Sequence, residues 1–314
     1  MKQFASHLNA LLGILTFSFL MASCDKDDNN DISLLTIKDE VAARSNLTLM
    51  NLSMEQCGLS TTLDSAASFT VFAPTNEAFT ASGIDAAAIG NLTANQIRNI
   101  LLYHVIDSKY TAADLPAGPN AKLVTMSDDT LFVTKNSSGV YINGIKVSTA
   151  DVTASNGVMH LISGLLMPPS GDIVESALAD TTFTYLAAAV VRASQGATDV
   201  AGVLSGSGIY TVFAPTNQAF RDAGFANLTD INAADPDVLA GILIYHVLAG
   251  RVFSSDLTEG AEPTTLDGAK LTITLVDGPK VKGTGNVTPA NIIGTNVMAS
   301  NGVIHVIDKV LLKL

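Results

Sequence analysis

The sequence predicts the α+β class, in two tandem domains, and three observations carry that reading. Thr70-Val-Phe-Ala-Pro-Thr-Asn-Glu-Ala-Phe79 returns as Thr211-Val-Phe-Ala-Pro-Thr-Asn-Gln-Ala-Phe220. Leu101-Leu-Tyr-His-Val105 returns as Leu243-Ile-Tyr-His-Val247, and Ala154-Ser-Asn-Gly-Val-Met-His-Leu-Ile162 as Ala299-Ser-Asn-Gly-Val-Ile-His-Val-Ile307. The three pairs keep their order, from Thr70 to Thr211, Tyr103 to Tyr245 and Asn156 to Asn301. A repeat unit this long is a globular domain, since stacked repeats run about 20–50 residues. Within each copy, helical spacing comes first and strand-like alternation afterwards, which is the order of an α+β domain with helices on a largely antiparallel sheet.

The second copy shows the elements most clearly. Asp172 is an N-cap candidate before apolar residues at helical spacing through Ala179, and Phe183 to Val191 continues as an Ala-rich helix. Gly202 to Gly208 is Gly-dense, lacks dinucleotide spacing and reads as a flexible turn. Ile209 to Ala214 is a buried strand stopped by Pro215, and Asn217 is expected to cap a short helix. Val238 to Val247 is almost wholly apolar, which predicts an interior helix. After Arg251 come Lys270 to Val276 in alternation, a hairpin signal at Asp277-Gly278, and a late strand at Val303 to Ile307. The first copy follows suit, with Thr130 to Thr134 and then Val140 to Val147 around an Asn143-Gly144 turn. Met167-Pro-Pro-Ser-Gly171 is a short, stiff boundary.

The N-terminus predicts export. Lys2 precedes an uncharged apolar run from Leu8 to Met21, short for a membrane span. Met21-Ala-Ser-Cys24 resembles a bacterial lipobox, with residues 1–23 as signal peptide and Cys24 as the lipidated first mature residue. An ordinary signal peptide with an incidental cysteine is the alternative. Residues 24–31 are an acidic tether too polar to pack. An acidic run after the lipidated cysteine resembles the surface-export signal of Bacteroidetes lipoproteins; elsewhere an Asp there signals inner-membrane retention. The expectation is an outer-membrane, lipid-anchored and surface-exposed protein, with the periplasmic face as the alternative, and domains at 32–168 and 171–314.

Composition narrows the partners. Seventeen basic against 29 acidic residues give a net charge of −12. That argues against nucleic acid, and against an anionic membrane without an acyl anchor. Of two cysteines, Cys24 is committed to lipid, which leaves Cys57 unable to form an intramolecular disulfide and best read as a small buried residue.

Four histidines recur, His104 and His160 in the first copy and His246 and His305 in the second. They end apolar helices or alternate with Val and Ile, and neither pair has ligand-type spacing. Core imidazoles bonded to backbone carbonyls explain both settings. The Ala-Pro-Thr-Asn stretch reads as strand end and helix cap, with Phe79 and Phe220 as core anchors. No Gly-x-Ser-x-Gly elbow, His-Glu-x-x-His or phosphate loop is present, so no catalytic residue, metal or cofactor is expected. Asp64-Ser-Ala66, Asp129-Thr-Leu131 and Asp180-Thr-Thr182 resemble a bacterial O-glycosylation triplet.

Taken together, the Thr-Val-Phe-Ala-Pro-Thr-Asn-x-Ala-Phe, Tyr-His and Asn-Gly-Val-x-His motifs resemble the fasciclin-type domain, matched twice and in order. The resemblance implies a seven-stranded β-wedge of mostly antiparallel strands with several packed helices. It also implies a non-enzymatic adhesion or interaction module for protein or glycan surface ligands. An accessory glycan-binding lipoprotein of a polysaccharide-handling system is the alternative. In animal members the Tyr-His region is associated with integrin recognition. Carried over, that gives Tyr103, His104, Tyr245 and His246 as candidate partner-binding residues.

Overall fold

The computed structural model describes residues 34–314. The signal-peptide, Cys24 and tether assignments lie outside them, as do the first two residues of the 32–168 span.

Domain 1 opens with α1 (Ile37–Ala42), α2 (Thr48–Gln56) and α3 (Ser60–Leu63), then β1 (Phe69–Pro74), α4 (Asn76–Ala81), α5 (Ala86–Asn91) and α6 (Ala94–Leu102). Its remaining strands are β2 (Val105–Ile106), β3 (Ala121–Val124), β4 (Thr130–Asn136), β5 (Gly139–Ile142), β6 (Ile145–Ala154) and β7 (Gly157–Ile162). Domain 2 repeats the plan. It has α7 (Ile173–Ala179), α8 (Thr184–Ala193), α9 (Val200–Leu204), β8 (Tyr210–Pro215), α10 (Asn217–Asp222), α11 (Leu228–Ala233) and α12 (Pro236–Tyr245). Then follow β9 (Val247–Ala249), β10 (Leu271–Thr274), β11 (Lys280–Gly283), β12 (Ala290–Ala299) and β13 (Gly302–Ile307).

The strand order is β2-β1-β7-β6-β5-β4-β3 in domain 1 and β10-β11-β12-β13-β8-β9 in domain 2. Pairing is antiparallel except for β1 with β7 and β8 with β13, which run parallel. These central strands are mostly apolar and almost wholly buried because both faces are covered, with Thr70, His160, Thr211 and His305 as buried polar members. Phe69, Val71 and Ala73 face the helical layer, while Phe72 faces a second cluster with Tyr103, Leu131 and Ile162 inside the curl of the sheet. The curl comes from the long strands: β6 and β12 each carry two register shifts, with Asp151 and Asn296 at φ of 59° and 62°. Such bulges bend a strand and raise its twist.

Four expectations change. Seven strands form in domain 1 but six in domain 2, where the counterpart of β3 contains Pro263. Proline has no N–H for the ladder, so that segment keeps isolated bridges at Thr264 and Thr265. The apolar helix α12 is not interior on all sides; Leu239, Ala240 and Leu243 are buried, whereas Val238 is 61 % exposed. Thr216, not Asn217, caps α10, through its hydroxyl and the Ala219 N–H. The Gly-dense stretch is helical in its first half, because Asp199 caps α9 by accepting from Gly202 N–H. The Asn143-Gly144 and Asp277-Gly278 turns form as expected, all four residues at positive φ.

Candidate functional site

The repeated motif residues hold each domain together at matching places. Thr75 and Thr216 cap α4 and α10. The following asparagines reach backwards instead: Asn76 Oδ1 accepts from Leu49 N–H (3.0 Å) and Asn217 Oδ1 from Tyr185 N–H (2.9 Å). Each so closes the first turn of the second helix of its domain. Asn156 Oδ1 accepts from Ile37 N–H at 2.8 Å, while its amide donates to Leu63 O and Ser65 O. Asn301 repeats this with Ile173 and Leu204. Gly157 and Gly302 follow because a Cβ there would collide with the carbonyl oxygens of Phe69 and Tyr210 on the parallel neighbour.

The four Tyr-His candidates are inside. Tyr103 and His104 are 0 % exposed, Tyr245 1 % and His246 2 %. Tyr103 donates to Thr130 O (3.1 Å) and accepts from Asn143 Nδ2 (2.8 Å); Tyr245 donates to Lys270 O and accepts from Thr284 N–H. Burial pushes the Tyr103 hydroxyl up to about 12. His104 lies 2.8 Å from Ile100 O through Nδ1, and its Nε2 accepts from Leu166 N–H; His246 does the same with Ile242 O and Leu311 N–H. An acceptor on one nitrogen and a donor on the other require the neutral Nδ1–H tautomer. Burial lowers both imidazoles to about 4. All four side chains are thus buried and internally bonded: the histidines tie the end of the last helix to the segment after the last strand, and the tyrosines tie it to the strands and turns of the sheet.

His160 and His305 stack on Phe72 and Phe213 with centroids 5.6 and 5.7 Å apart, and bond Tyr110 O and Val252 O. Burial lowers both pKa values. His160 Nδ1 also accepts from Asp151 N–H, whereas His305 Nδ1 has no partner among the described residues. Cys57 is buried and its thiol is pushed up by burial, the setting of an inert core residue. Among the described residues no cluster of three His, Cys, Asp or Glu side chains is placed to hold a metal, and no helix is long and apolar enough to cross a membrane.

An open cleft lies where the domains meet. Phe132 of β4, Phe253, Met298 and Val303 form one buried cluster across the junction. The Arg251 guanidinium lies 4.3 Å over the Phe132 ring and bonds the Ala299, Ser300 and Gly302 carbonyls. Asn120 donates to Arg251 O (2.7 Å) and Thr134 to Asp256 Oδ1 (3.1 Å). Beside this contact opens a cleft of about 900 Å³, with Asn143, Lys146 and Ser163 on one wall and Asp180, Thr181 and Thr295 on the other. Ser176 Oγ, which also lines it, is buried without a hydrogen-bond partner among the described residues. Sequence reasoning missed these residues, because nothing local marks a side chain that meets a distant domain.

Two α+β wedges, each tied by the same Asn, His and Gly positions and docked side by side, define a tandem two-domain architecture. The chain belongs to the fasciclin domain family, whose model matches residues 45–168 and 182–313. It is 29 % identical over 257 residues to transforming growth factor-beta-induced protein ig-h3 of Sus scrofa, covering 80 % of this chain and 35 % of that protein. It is 42 % identical over 141 residues to protein sll1483 of Synechocystis sp., covering 45 % of this chain and 72 % of that one. The chain thus spans about a third of the length of that animal relative. A solved FAS1 domain pair from the insect cell adhesion molecule fasciclin I aligns with a TM-score of 0.41 at 20 % identity, over 84 % of this chain and 96 % of that one.

Proposed function

We propose that this protein is a non-enzymatic, surface-anchored interaction lipoprotein, held to the outer membrane through lipid on Cys24 and facing outwards. The observation that carries the reading is that the repeated polar residues are committed to internal hydrogen bonds, while residues outside the repeated motifs line the open inter-domain cleft. Such a division suits a scaffold that binds through surface the repeat does not share. Family membership supports it, as does a net charge of −12, which disfavours nucleic acid.

The favoured partner is a protein ligand. A glycan is the second reading, because the cleft offers hydroxyl, ammonium and carboxylate groups suited to sugar hydroxyls. Among the described residues its lining includes no aromatic ring on which a sugar face would stack. The deciding experiment pairs a pull-down of the mature protein against matrix proteins with a glycan array. Saturable protein binding lost in Lys146→Ala and Asp180→Ala supports the favoured reading, and binding confined to one polysaccharide class replaces it with the second. For the anchor, Cys24→Ala should move the protein from membrane to soluble fractions, and protease should digest the wild type on intact cells. Full protection from protease would refute surface exposure.

A further inference from the structure

Domain 2 contains an apolar cavity of about 170 Å³ between its helical layer and its sheet. Ala177 of α7, Leu186 and Val190 of α8, Leu204 of α9 and Ile304 of β13 line it. Of the described residues around it, only His246 carries a polar side chain, and both its ring nitrogens are already bonded, to Ile242 and Leu311. The cavity therefore offers no free hydrogen-bonding group, and whatever occupies it must be hydrocarbon. Two more lining residues, Leu178 and Val191, are 57 % and 55 % exposed, so apolar side chains lead from the solvent into the cavity.

Domain 1 serves as an internal comparison. The asparagine bonds to Ile37 and Ile173, and to Leu49 and Tyr185, align the opening helices residue by residue. On that alignment Val41, Met50 and Met54 stand where domain 2 has Ala177, Leu186 and Val190, and Met159 stands where it has Ile304. These four domain 1 residues are at most 1 % exposed. Unbranched thioether chains fill irregular space well, and shorter or branched ones leave it open. The cavity follows from that exchange of three methionines and a valine.

We propose that this cavity is a binding site for the tail of a single-chain aliphatic amphiphile. Its volume is close to that of an engineered apolar cavity of about 150 Å³ that takes up benzene, so about six carbons of a chain fit. The solvent-facing Leu178 and Val191 would cover the next methylenes and leave the head group in water. A dry cavity whose walls cannot pair a polar atom selects a methyl-terminated chain over one carrying a charge at its far end.

The test titrates the full mature chain with decanoate and with decanedioate by calorimetry. Saturable one-to-one binding of decanoate is expected, with decanedioate at least tenfold weaker. The paired substitution Val190→Met with Ala177→Val, which copies domain 1, should weaken decanoate at least tenfold while the melting temperature is unchanged or raised. No saturable decanoate binding, equal affinity for the two acids, or unchanged decanoate affinity in a folded double variant would each overturn the proposal. The acid comparison needs only wild-type protein, so it decides even if the double variant overpacks. The site is separate from the inter-domain cleft, so neither proposal depends on the other.

Discussion

Arg251 of domain 2 lies with its guanidinium carbon 4.3 Å above the centre of the Phe132 ring of domain 1. Burial lowers the Arg251 pKa, and three backbone carbonyls fix the group's position. A weakly hydrated, planar cation on an aromatic face is the arrangement that tolerates such burial, contributing about 0.5–2 kcal/mol.

Phe132→Ala removes both that contact and the packing on Phe253, Met298 and Val303. A loss of about 3 kcal/mol is expected, and the two domains should then unfold in separate calorimetric steps. One undivided transition, with an unchanged radius of gyration in solution scattering, would show that the junction is held elsewhere.

Acid should destabilise the fold through His104 and His246. Their folded pKa values of about 4 lie below the ordinary 6.5, so the unfolded chain takes up protons first. Stability is full above pH 6.5, falls as pH drops from 6.5 to about 4, and these two groups contribute no further slope below. At about 1.36 kcal/mol per pH unit each group accounts for roughly 3 kcal/mol across that window. Replacing both by Gln should lower stability at pH 7.5 and flatten the denaturation free energy between pH 6.5 and 4. A slope equal to the wild type's would assign the acid sensitivity to other groups.

Asn156→Ala should be among the costliest polar substitutions. It leaves Ile37 N–H, Leu63 O and Ser65 O without their partner, an expected loss of about 2–4 kcal/mol measured by urea denaturation. The neighbouring Gly157→Ala acts differently, through collision with Phe69 O at a φ of 152°, and should reduce the folded yield. If both variants melted like the wild type, the motif would need an explanation outside the fold.

Tyr245→Phe strips one acceptor and one donor of their partner, Lys270 O and Thr284 N–H. A loss of about 1–3 kcal/mol is expected, with partner binding unchanged well below the melting temperature. Lost binding at unchanged melting would return this tyrosine to the surface-contact role.

Much of this fold was legible because its signals are local. The Asp172 cap, the two turn dipeptides and the mostly apolar central strands all act through neighbouring residues. The buried histidines were legible for the same reason, since an imidazole ending an apolar helix has a carbonyl four residues back within reach. What escaped was non-local. Asn217 looks like a cap of its own helix, but its partner, Tyr185, lies 32 positions away. Val238 is apolar yet faces outwards, because helix propensity and hydropathy do not say which side the sheet will cover. Neither the cleft nor the junction left a sequence signal, since each arises only when two finished domains meet.

The docking of β4 against the Arg251–Asp256 loop has a further consequence for how a duplicated module would act. Two modules on a slack linker sample many separations and adapt to almost any spacing of target sites. Here buried Phe132 and Phe253, with the hydrogen bonds beside them, hold the pair at one separation. The pair would then act as a caliper: targets at the matching interval would gain from simultaneous engagement, and all others would meet one module at a time.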